Sequence, residues 1–318
     1  MDLRGLDLNL LVVLDALLTE RNVTRAGLHI HLSQSATSGA LARLRVFFRD
    51  ELLIQAGREM VLTPLAQGLV EPVRDILLRV QATVAVTTTF DPATIARRFT
   101  VMGSDYVMSV LLTSVMQRCE REAPGISFDL RQTTPSHHDL LSRGEIDFLL
   151  IPDIFTSEDH PRKVLFEDTH VCVVWSGNTQ VGETISFEQY LKMGHVITAL
   201  GEARTPSFED WFLKNYGYVR QLEVIAPGFV LTPQLLIGTN RIATMHTRLA
   251  HLYATHLPLR LLPFPIEIPR LAEAVQWPAH LDQEPGSIWM RGLLLEEAAK
   301  LESLESLSPT ASKAQEER

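Results

Sequence analysis

The sequence predicts an α/β protein that begins with an all-α-dominated winged helix-turn-helix and continues into two α/β lobes. Apolar residues recur at helical spacing near the N-terminus, and strand and helix patterns alternate after residue 91. The chain has 318 residues, enough for two or three domains. Since about 200 residues are many for one sheet, we expect two lobes that share a cleft.

Three short helices are predicted first. Five apolar residues at helical spacing make the first helix amphipathic: Leu10, Val13, Leu14, Leu17 and Leu18. Asn22 or Thr24 can cap a second helix that ends near His31, and Ser33 can cap a third that reaches Phe47.

The third predicted helix has two different faces. The inward face holds Thr37, Leu41, Leu44 and Phe48. The other face holds Gln34, Ser35, Ser38, Ala42, Arg45 and Arg49. Small hydroxyl and amide groups at the start of a second short helix are typical of a helix-turn-helix, whose N-terminal end enters the major groove of DNA. Two short strands over residues 50–62, around Gln55–Arg58, predict a hairpin wing.

A long helix is expected to follow the hairpin. Thr63 is its cap and Pro64 its first residue, while Pro72 should kink it. One apolar stripe runs along it: Leu65, Leu69, Val73, Ile76, Val80 and Val84. The stripe indicates dimerisation, and packing against the helix's own domain is an equally open alternative.

Strands and helices alternate in the remainder, which predicts mostly parallel sheets. The predicted strands are 98–103, 127–132, 147–152, 170–175, 195–200, 221–226, 241–245 and 271–277. The predicted helices are 105–122, 136–143, 207–216, 231–238, one from 247, and 287–301. Residues 302–318 have few bulky apolar side chains and predict a disordered tail.

Charge and composition exclude several classes of protein. The net charge is -9, but residues 1–90 balance nine Arg against nine acids, and residues 20–58 hold six Arg against three acids. This window is locally positive, although a solvated helix face is the more common explanation of such charge. Two cysteines cannot form a disulfide scaffold, and no apolar run is long enough to span a bilayer, so we expect a cytoplasmic protein. We find no nucleotide-binding, metal-binding or nucleophile motif, so neither a cofactor nor an enzyme is expected.

Leu8–Leu14, Leu32–Ser38 and Ala42–Arg45 resemble the DNA-binding domain of LysR-type transcriptional regulators. Further segments continue the resemblance in order to about residue 301: Phe48–Leu52, Leu62–Ala66, Phe90–Pro92, Glu122–Pro124, Arg143–Asp147, Met193–Val196, Arg248–Ala250, Gln276–Ala279 and Ser287–Arg291. The later segments resemble the branch that contains the nodulation regulator NodD and the salicylate-responsive regulator NahR. They are also similar to regulators of chloroaromatic catabolism such as LinR and PcpR.

The resemblance implies a set of DNA-binding residues. They are Ser33, Gln34, Ser35, Thr37, Ser38, Arg43, Arg45, Gln55 and Arg58. Gln34 and Ser38 match positions that contact DNA in the family, whereas Arg43 and Arg45 are phosphate or packing residues rather than base readers. Ser35 stands where the family usually has Pro, and Gln55 where Arg is common, so the operator contacts differ from the usual pattern. The alternative for each residue is a solvated polar surface.

For the two lobes, the resemblance implies a periplasmic-binding-protein-like pair with a small inducer between them. Ligands bind beyond the C-terminal ends of parallel strands, and residues at such ends are the expected effector-binding set. These are Ser104, Asp105, Tyr106, Asp153, Thr169, His195, Thr198, Arg204, Phe229 and His246. A purely structural role is the alternative for each, and His195 in particular belongs to a segment common to NodD-like members.

We therefore expect four parts: a winged helix-turn-helix at 1–62, a dimerisation helix at 63–90, an effector domain at 91–301 and the tail at 302–318. The expected protein is a DNA-binding regulator, an activator, that assembles as a dimer or tetramer and works with RNA polymerase. A small aromatic inducer is expected to control it, and its target is an aromatic or chloroaromatic catabolic operon. The alternative is a solute-binding or enzymatic α/β module with a protein-interaction winged domain.

Overall fold

The computed structural model describes residues 7, 9–57, 59–85, 90–201 and 204–306. These residues form two compact units, divided between Thr88 and Thr89. The fold class expected from the sequence, a winged helix-turn-helix followed by two α/β lobes, is confirmed.

The first unit has four helices and one hairpin. They are α1 Asn9–Glu20, α2 Val23–His29, α3 Gln34–Phe48, β1 Leu53–Ala56, β2 Glu59–Leu62 and α4 Pro64–Ala85. The two predicted caps are present: the Asn22 side chain accepts from the backbone N–H groups of Thr24 and Arg25, and the Ser33 hydroxyl accepts from that of Ala36. The apolar faces of α1 and α3 meet in a core in which Leu14 and Leu44 are fully buried.

Helix α4 divides its apolar residues between two surroundings. Ala66 and Val73 are buried in the core of the first unit, and the helix continues through Pro72. Leu65, Ile76 and Val80 lie more than 40% exposed. Both interpretations of the stripe therefore hold a part: one side packs on its own unit and the other stays apolar and uncovered in the single chain.

The second unit contains two sheets. The first sheet has the order β4-β3-β5-β13-β6, with bounds β3 Arg97–Gly103, β4 Ile126–Gln132, β5 Phe148–Pro152, β6 Arg162–Asp168 and β13 Leu271–Gln276. The second has the order β10-β8-β11-β7-β12, with β9 paired to β8. Its bounds are β7 His170–Trp175, β8 Gly194–Leu200, β9 Thr205–Pro206, β10 Gln221–Ala226, β11 Ile242–His246 and β12 Leu259–Pro263.

The expectation of mostly parallel sheets was wrong, because both sheets are mixed. β3 is parallel to β4 and β5, while β13 is antiparallel to both β5 and β6. β7 is likewise antiparallel to β11 and β12. The chain leaves the first sheet after β6 and returns to it only at β13. Thr169 alone separates β6 from β7, so the first crossover between the lobes is a single residue.

Some local predictions were also wrong. Strands β6, β9 and β12 were not predicted, nor was helix α8 Phe187–Lys192. The predicted helix 105–122 is three pieces, α5 Asp105–Val107, a π-helical turn Met108–Leu112 and α6 Thr113–Glu122, and the predicted helix 231–238 is a 3-10 turn, Thr232–Leu236. The other helices are α7 His137–Ser142, α9 Phe208–Asn215, α10 Thr247–Ala254 and α11 Pro285–Ser306. The tail therefore cannot begin at residue 302, and residues 307–318 lie outside the described part.

A buried ionic network holds α9 to the second lobe. The Arg220 guanidinium, 2% exposed, donates to Asp210 Oδ1 at 2.6 Å and to the Tyr190 hydroxyl at 3.1 Å, and it lies 3.9 Å from Glu209. Burial raises the pKa of Glu209, while the charge of Arg220 lowers it. This network is structural, since the wall of the cavity described below does not contain it. No described helix is long and apolar enough to cross a bilayer.

Candidate functional site

The start of α3 presents an exposed polar surface. Gln34, Ser35 and Ser38 are all exposed on the first turns, directly after the Ser33 cap. The Ser33 hydroxyl lies 3.0 Å from that of Ser35, and it also accepts from the backbone at the cap. The geometry leaves an amide and two hydroxyls free to meet base edges in a major groove.

Thr37 was wrongly placed among the DNA-contacting residues. Its side chain is fully buried, and its hydroxyl donates to the Ser33 carbonyl at 3.0 Å. A Cβ added to Gly27 on α2 would lie 2.7 Å from that hydroxyl and 3.0 Å from the Leu32 carbonyl. Thr37 and Gly27 therefore form the close contact at which α2 and α3 cross.

Arg45 and Arg43 have different surroundings on the same helix. Arg45 donates from Nε to the Glu51 carbonyl at 2.8 Å and from Nη2 to the Leu53 carbonyl at 2.9 Å, so it ties α3 to the wing. Arg43 is 62% exposed, and its guanidinium lies 3.7 Å from the Asp7 carboxylate. Arg43 can reach a phosphate, whereas Arg45 is committed to packing, as one of the two roles expected for it requires.

The wing presents Gln55, which is exposed and donates to the Gly57 carbonyl at 3.2 Å. Gly57 takes a positive φ of 66° at the tip, which suits a residue without a Cβ. Arg58 lies outside the described residues. The DNA contacts of Gln55 and Arg58 remain predictions.

A cavity of about 340 Å³ lies within the second unit, between its two sheets. Its wall comes from both lobes and is mostly apolar or aromatic. The lining residues are Ser104, Tyr106, Thr133, Thr134, Pro135, His137, His138, Leu150, Ile151, Pro152, Phe155, Leu200, Thr205, Pro206, Ser207, Phe208, Phe229, His246, Leu271 and Glu273. This size and lining are typical of small-molecule sites.

Aromatic rings make one side of the cavity. Tyr106 stacks on His246 with ring centroids 3.8 Å apart and planes 15° apart, and Phe229 meets His246 edge-on at 4.7 Å. His170 lies 4.9 Å from His246 on the neighbouring strand. Burial lowers the pKa of His170 to about 4 and lowers that of His246 well below its usual value, so both imidazoles are neutral near pH 7. This side of the cavity is flat, aromatic and uncharged.

Two carboxyl groups lie beside these rings. The buried Tyr106 hydroxyl donates to Asp168 Oδ2 at 2.6 Å, and Asp168 Oδ1 accepts from the Thr169 backbone at 2.7 Å. Burial raises the pKa of Asp168, while these bonds lower it. Glu273, 1% exposed, is the only Asp or Glu in the described lining. Burial first, and then the charge of Asp168, raise the pKa of Glu273 to about 8.

Four of the ten predicted effector residues line the cavity: Ser104, Tyr106, Phe229 and His246. The structure brings these together and not the other six. Asp105 lies next to them, but its carboxylate accepts from the backbone N–H groups of Phe229 and Val230, so it joins the two lobes. The other five lie away from the cavity wall.

Each of these five has a structural engagement or an exposed position. Asp153 pairs with an arginine at 3.2 Å, and the Thr169 hydroxyl meets that of a threonine on α10 at 2.8 Å. His195 Nε2 lies 2.7 Å from a backbone carbonyl, and the Thr198 hydroxyl lies 3.0 Å from that of a neighbouring threonine. Arg204 is exposed, with a positive φ of 51°. The prediction of an effector contact has no geometric support at these positions.

Sequence reasoning missed much of the wall. Thr133, Thr134 and Phe155 follow the ends of β4 and β5, so the strand-end rule that selected Ser104 applies to them as well. Glu273 lies inside a strand between alanines, and no sequence signal separates it from a solvated acid.

Comparison with known proteins gives the same division of the chain. The family model described as "Bacterial regulatory helix-turn-helix protein, lysR family" matches residues 8–67, and "LysR substrate binding domain" matches residues 93–299. Nodulation protein D 2 of Rhizobium tropici is 50% identical over 303 residues, covering 95% of this chain and 96% of the relative.

Solved structures agree with the fold. A probable transcriptional regulator from Pseudomonas aeruginosa is similar with a TM-score of 0.61 and 30% identity, covering 92% of this chain and 97% of that one. Full-length OxyR from Pseudomonas aeruginosa has a TM-score of 0.67 at 17% identity, covering 92% of this chain and 94% of its own. The relatives support the nodulation-regulator side of the expected branch and give no support to its aromatic-catabolism side.

Proposed function

Because the chain belongs to the LysR family of bacterial transcriptional regulators, we propose that it binds promoter DNA as a homo-oligomer in the cytoplasm and that a small aromatic inducer controls it. Proteins of this family regulate transcription and are not enzymes. One observation carries the inducer proposal: a cavity of about 340 Å³ between the lobes, walled by Tyr106, Phe229 and His246. Stacked neutral rings favour a flat aromatic ligand.

DNA reading is assigned to α3. Gln34, Ser35 and Ser38 are exposed at its N-terminal end, and a carboxamide such as that of Gln34 can pair bidentately with adenine. Exposed Leu65, Ile76 and Val80 on α4 give a second copy an apolar surface to cover, which supports a dimer. A dimer presents two copies of α3 to an inverted repeat. Assembly into a tetramer and contact with RNA polymerase remain parts of the proposal.

The inducer is proposed to act through the lobes. A ligand in the cavity contacts β13 and the segment after β3 in one lobe, and β11 and α9 in the other. Tyr106 also bonds Asp168, which directly precedes the crossover residue Thr169. Ligand binding therefore favours one relative position of the lobes, and this difference in affinity shifts the population of the DNA-bound states toward activation.

The target genes have two competing proposals. Relatives named nodulation protein D, 46–50% identical, favour control of nodulation genes. Control of an aromatic or chloroaromatic catabolic operon is the competing proposal, and it depends only on the aromatic wall of the cavity. A genome-wide map of binding sites in the native host distinguishes the two.

Two measurements test the main proposal. DNA selected by the protein from a random duplex library should contain an inverted repeat, and its affinity should fall steeply with salt. Gln34→Ala should relax the selected sequence, while Gln67→Ala on the exposed side of α4 should not. A thermal-shift panel of phenols, benzoates and flavonoids tests the inducer. Absence of selected DNA contradicts the regulator, and absence of any shift contradicts the aromatic inducer.

A further inference from the structure

Resting on the proposal that the cavity is the inducer site, we propose that the protonated carboxyl group of Glu273 is the specificity-determining group there. It donates a hydrogen bond to a carbonyl or hydroxyl oxygen of an uncharged aromatic ligand.

The position of Glu273 is the first argument. It lies two residues after Leu271 on β13, so both side chains point to the same face, and both line the cavity. Glu273 pairs with Phe166 on β6 while Ala274 pairs with Val164, so one residue of β6 is left over at this point. Such bulges turn side chains and are frequent beside functional sites. A carboxyl group is thus directed into an apolar cavity from the interior of a sheet.

The absence of a partner is the second argument. Glu273 Oε2 is buried and has no hydrogen-bond partner among the described residues. Buried polar atoms without a partner are rare in native proteins, and each one calls for an unseen group that satisfies it. A ligand oxygen in the cavity supplies such a group.

The neighbouring charges decide which carboxyl group carries the proton. Asp168 accepts from the Tyr106 hydroxyl at 2.6 Å and from the backbone of Thr169 and Arg248 at 2.7 and 3.3 Å. These donors and the charge of Arg248 stabilise the ionised form of Asp168. With Asp168 ionised and no donor at its own Oε2, Glu273 keeps its proton.

The remaining ionisable side chains near the cavity do not change this assignment. Burial lowers the pKa of His137, His170 and His246, and burial followed by the charge of Asp168 raises that of Tyr106. His138 Nε2 lies 3.1 Å from a backbone carbonyl. The described lining contains no Arg or Lys to pair with an anionic ligand. Glu273 is therefore the group whose charge changes near pH 8, and an aromatic carboxylate would meet only the charge of Asp168.

Flavone is a suitable probe, because it has a carbonyl acceptor and no ionisable group. We expect its Kd for the full-length protein to be constant below pH 7 and to rise about tenfold between pH 7 and pH 9, as Glu273 ionises. Glu273→Gln keeps an N–H donor of the same shape, so it should bind flavone independently of pH. Glu273→Leu should weaken binding about threefold to tenfold at pH 6.5. Glu167→Gln, at a half-exposed carboxylate on β6, is the matched control and should behave as wild type.

A measurement without ligand tests the protonation state. Because the pKa of Glu273 is raised in the folded state from 4.5 to about 8, stability is greatest below pH 4.5 and falls as pH rises towards 8. Glu273→Gln should remove this part of the pH dependence of the Tm, followed by tryptophan fluorescence. Wild-type binding of flavone with the same pH profile in Glu273→Gln overturns the inference and leaves the proposed function standing. Failure of every aromatic probe to bind wild type overturns both.

Discussion

Arg45 offers a sharp test of the first unit, because its guanidinium joins α3 to the wing. Arg45→Met removes donors to the Glu51 and Leu53 carbonyls at 2.8 and 2.9 Å. A hydrogen bond from a charged group contributes about 1.5–3 kcal/mol. The side chain is 35% exposed, so water replaces part of each bond, and the exposed ion pair to Glu51 adds little. We expect the first unit to lose about 2 kcal/mol of stability.

The assay follows from where the tryptophans lie. All four, Trp175, Trp211, Trp277 and Trp289, belong to the second unit, so their fluorescence reports only that unit. Amide hydrogen exchange of α3 reports the first unit, and 2 kcal/mol corresponds to exchange that is about 30-fold faster. The tryptophan unfolding transition should not change in Arg45→Met.

Arg43→Met is the matched control on the same helix. Its guanidinium is 62% exposed and makes a 3.7 Å ion pair, so its loss should change stability by less than about 0.5 kcal/mol. If Arg43 contacts phosphate, the salt dependence of DNA binding should fall by about one unit of slope. Unchanged exchange in Arg45→Met, or equal effects in the two variants, would refute this assignment of structural and DNA-contacting roles.

Three further predictions concern the helix crossing and the second unit. Gly27→Ala should destabilise the first unit by about 1–3 kcal/mol by overpacking, whereas Gly39→Ala, with open space around its Cβ, should stabilise it by up to about 1 kcal/mol; hydrogen exchange measures both. Tyr106→Phe removes the 2.6 Å hydrogen bond to buried Asp168 and should lower the stability of the second unit by about 1–3 kcal/mol in urea unfolding. Arg220→Leu leaves two buried carboxyl groups without their cation and should cost about 3–5 kcal/mol, with partial recovery as pH falls and those groups are protonated. Equal exchange in the two glycine variants, an unchanged urea midpoint in Tyr106→Phe, or a loss in Arg220→Leu that grows towards low pH would contradict the respective prediction.

Local chemistry explains why much of the first unit was predictable. The side chains of Asn22 and Ser33 satisfy backbone donors within three residues, so sequence position alone locates the helix starts. Thr37 shows the limit of this reasoning. Its spacing indicated an inward face and its place in the motif indicated DNA, and only the contact with Gly27 decides between them.

The second unit depends on contacts that are distant in sequence. Ser104 and Phe229 follow strand ends and were found by a local rule, although more than 120 residues separate them. Glu273 reaches the cavity only because the chain returns to the first sheet after building the second, and the same return makes the sheets mixed. Spacing within a window of residues carries no information about such a return.

Because the residues that hold the helix crossing differ from those that meet solvent, operator choice can change without rebuilding the fold. Thr37 and Gly27 keep the angle of α3, while Gln34, Ser35 and Ser38 have no packing role of their own in the core. Selection from a library randomised at those three positions should yield folded repressors and activators for new operators. Evolution has the same freedom, so paralogues that sense similar ligands can separate their target genes through a few exposed side chains.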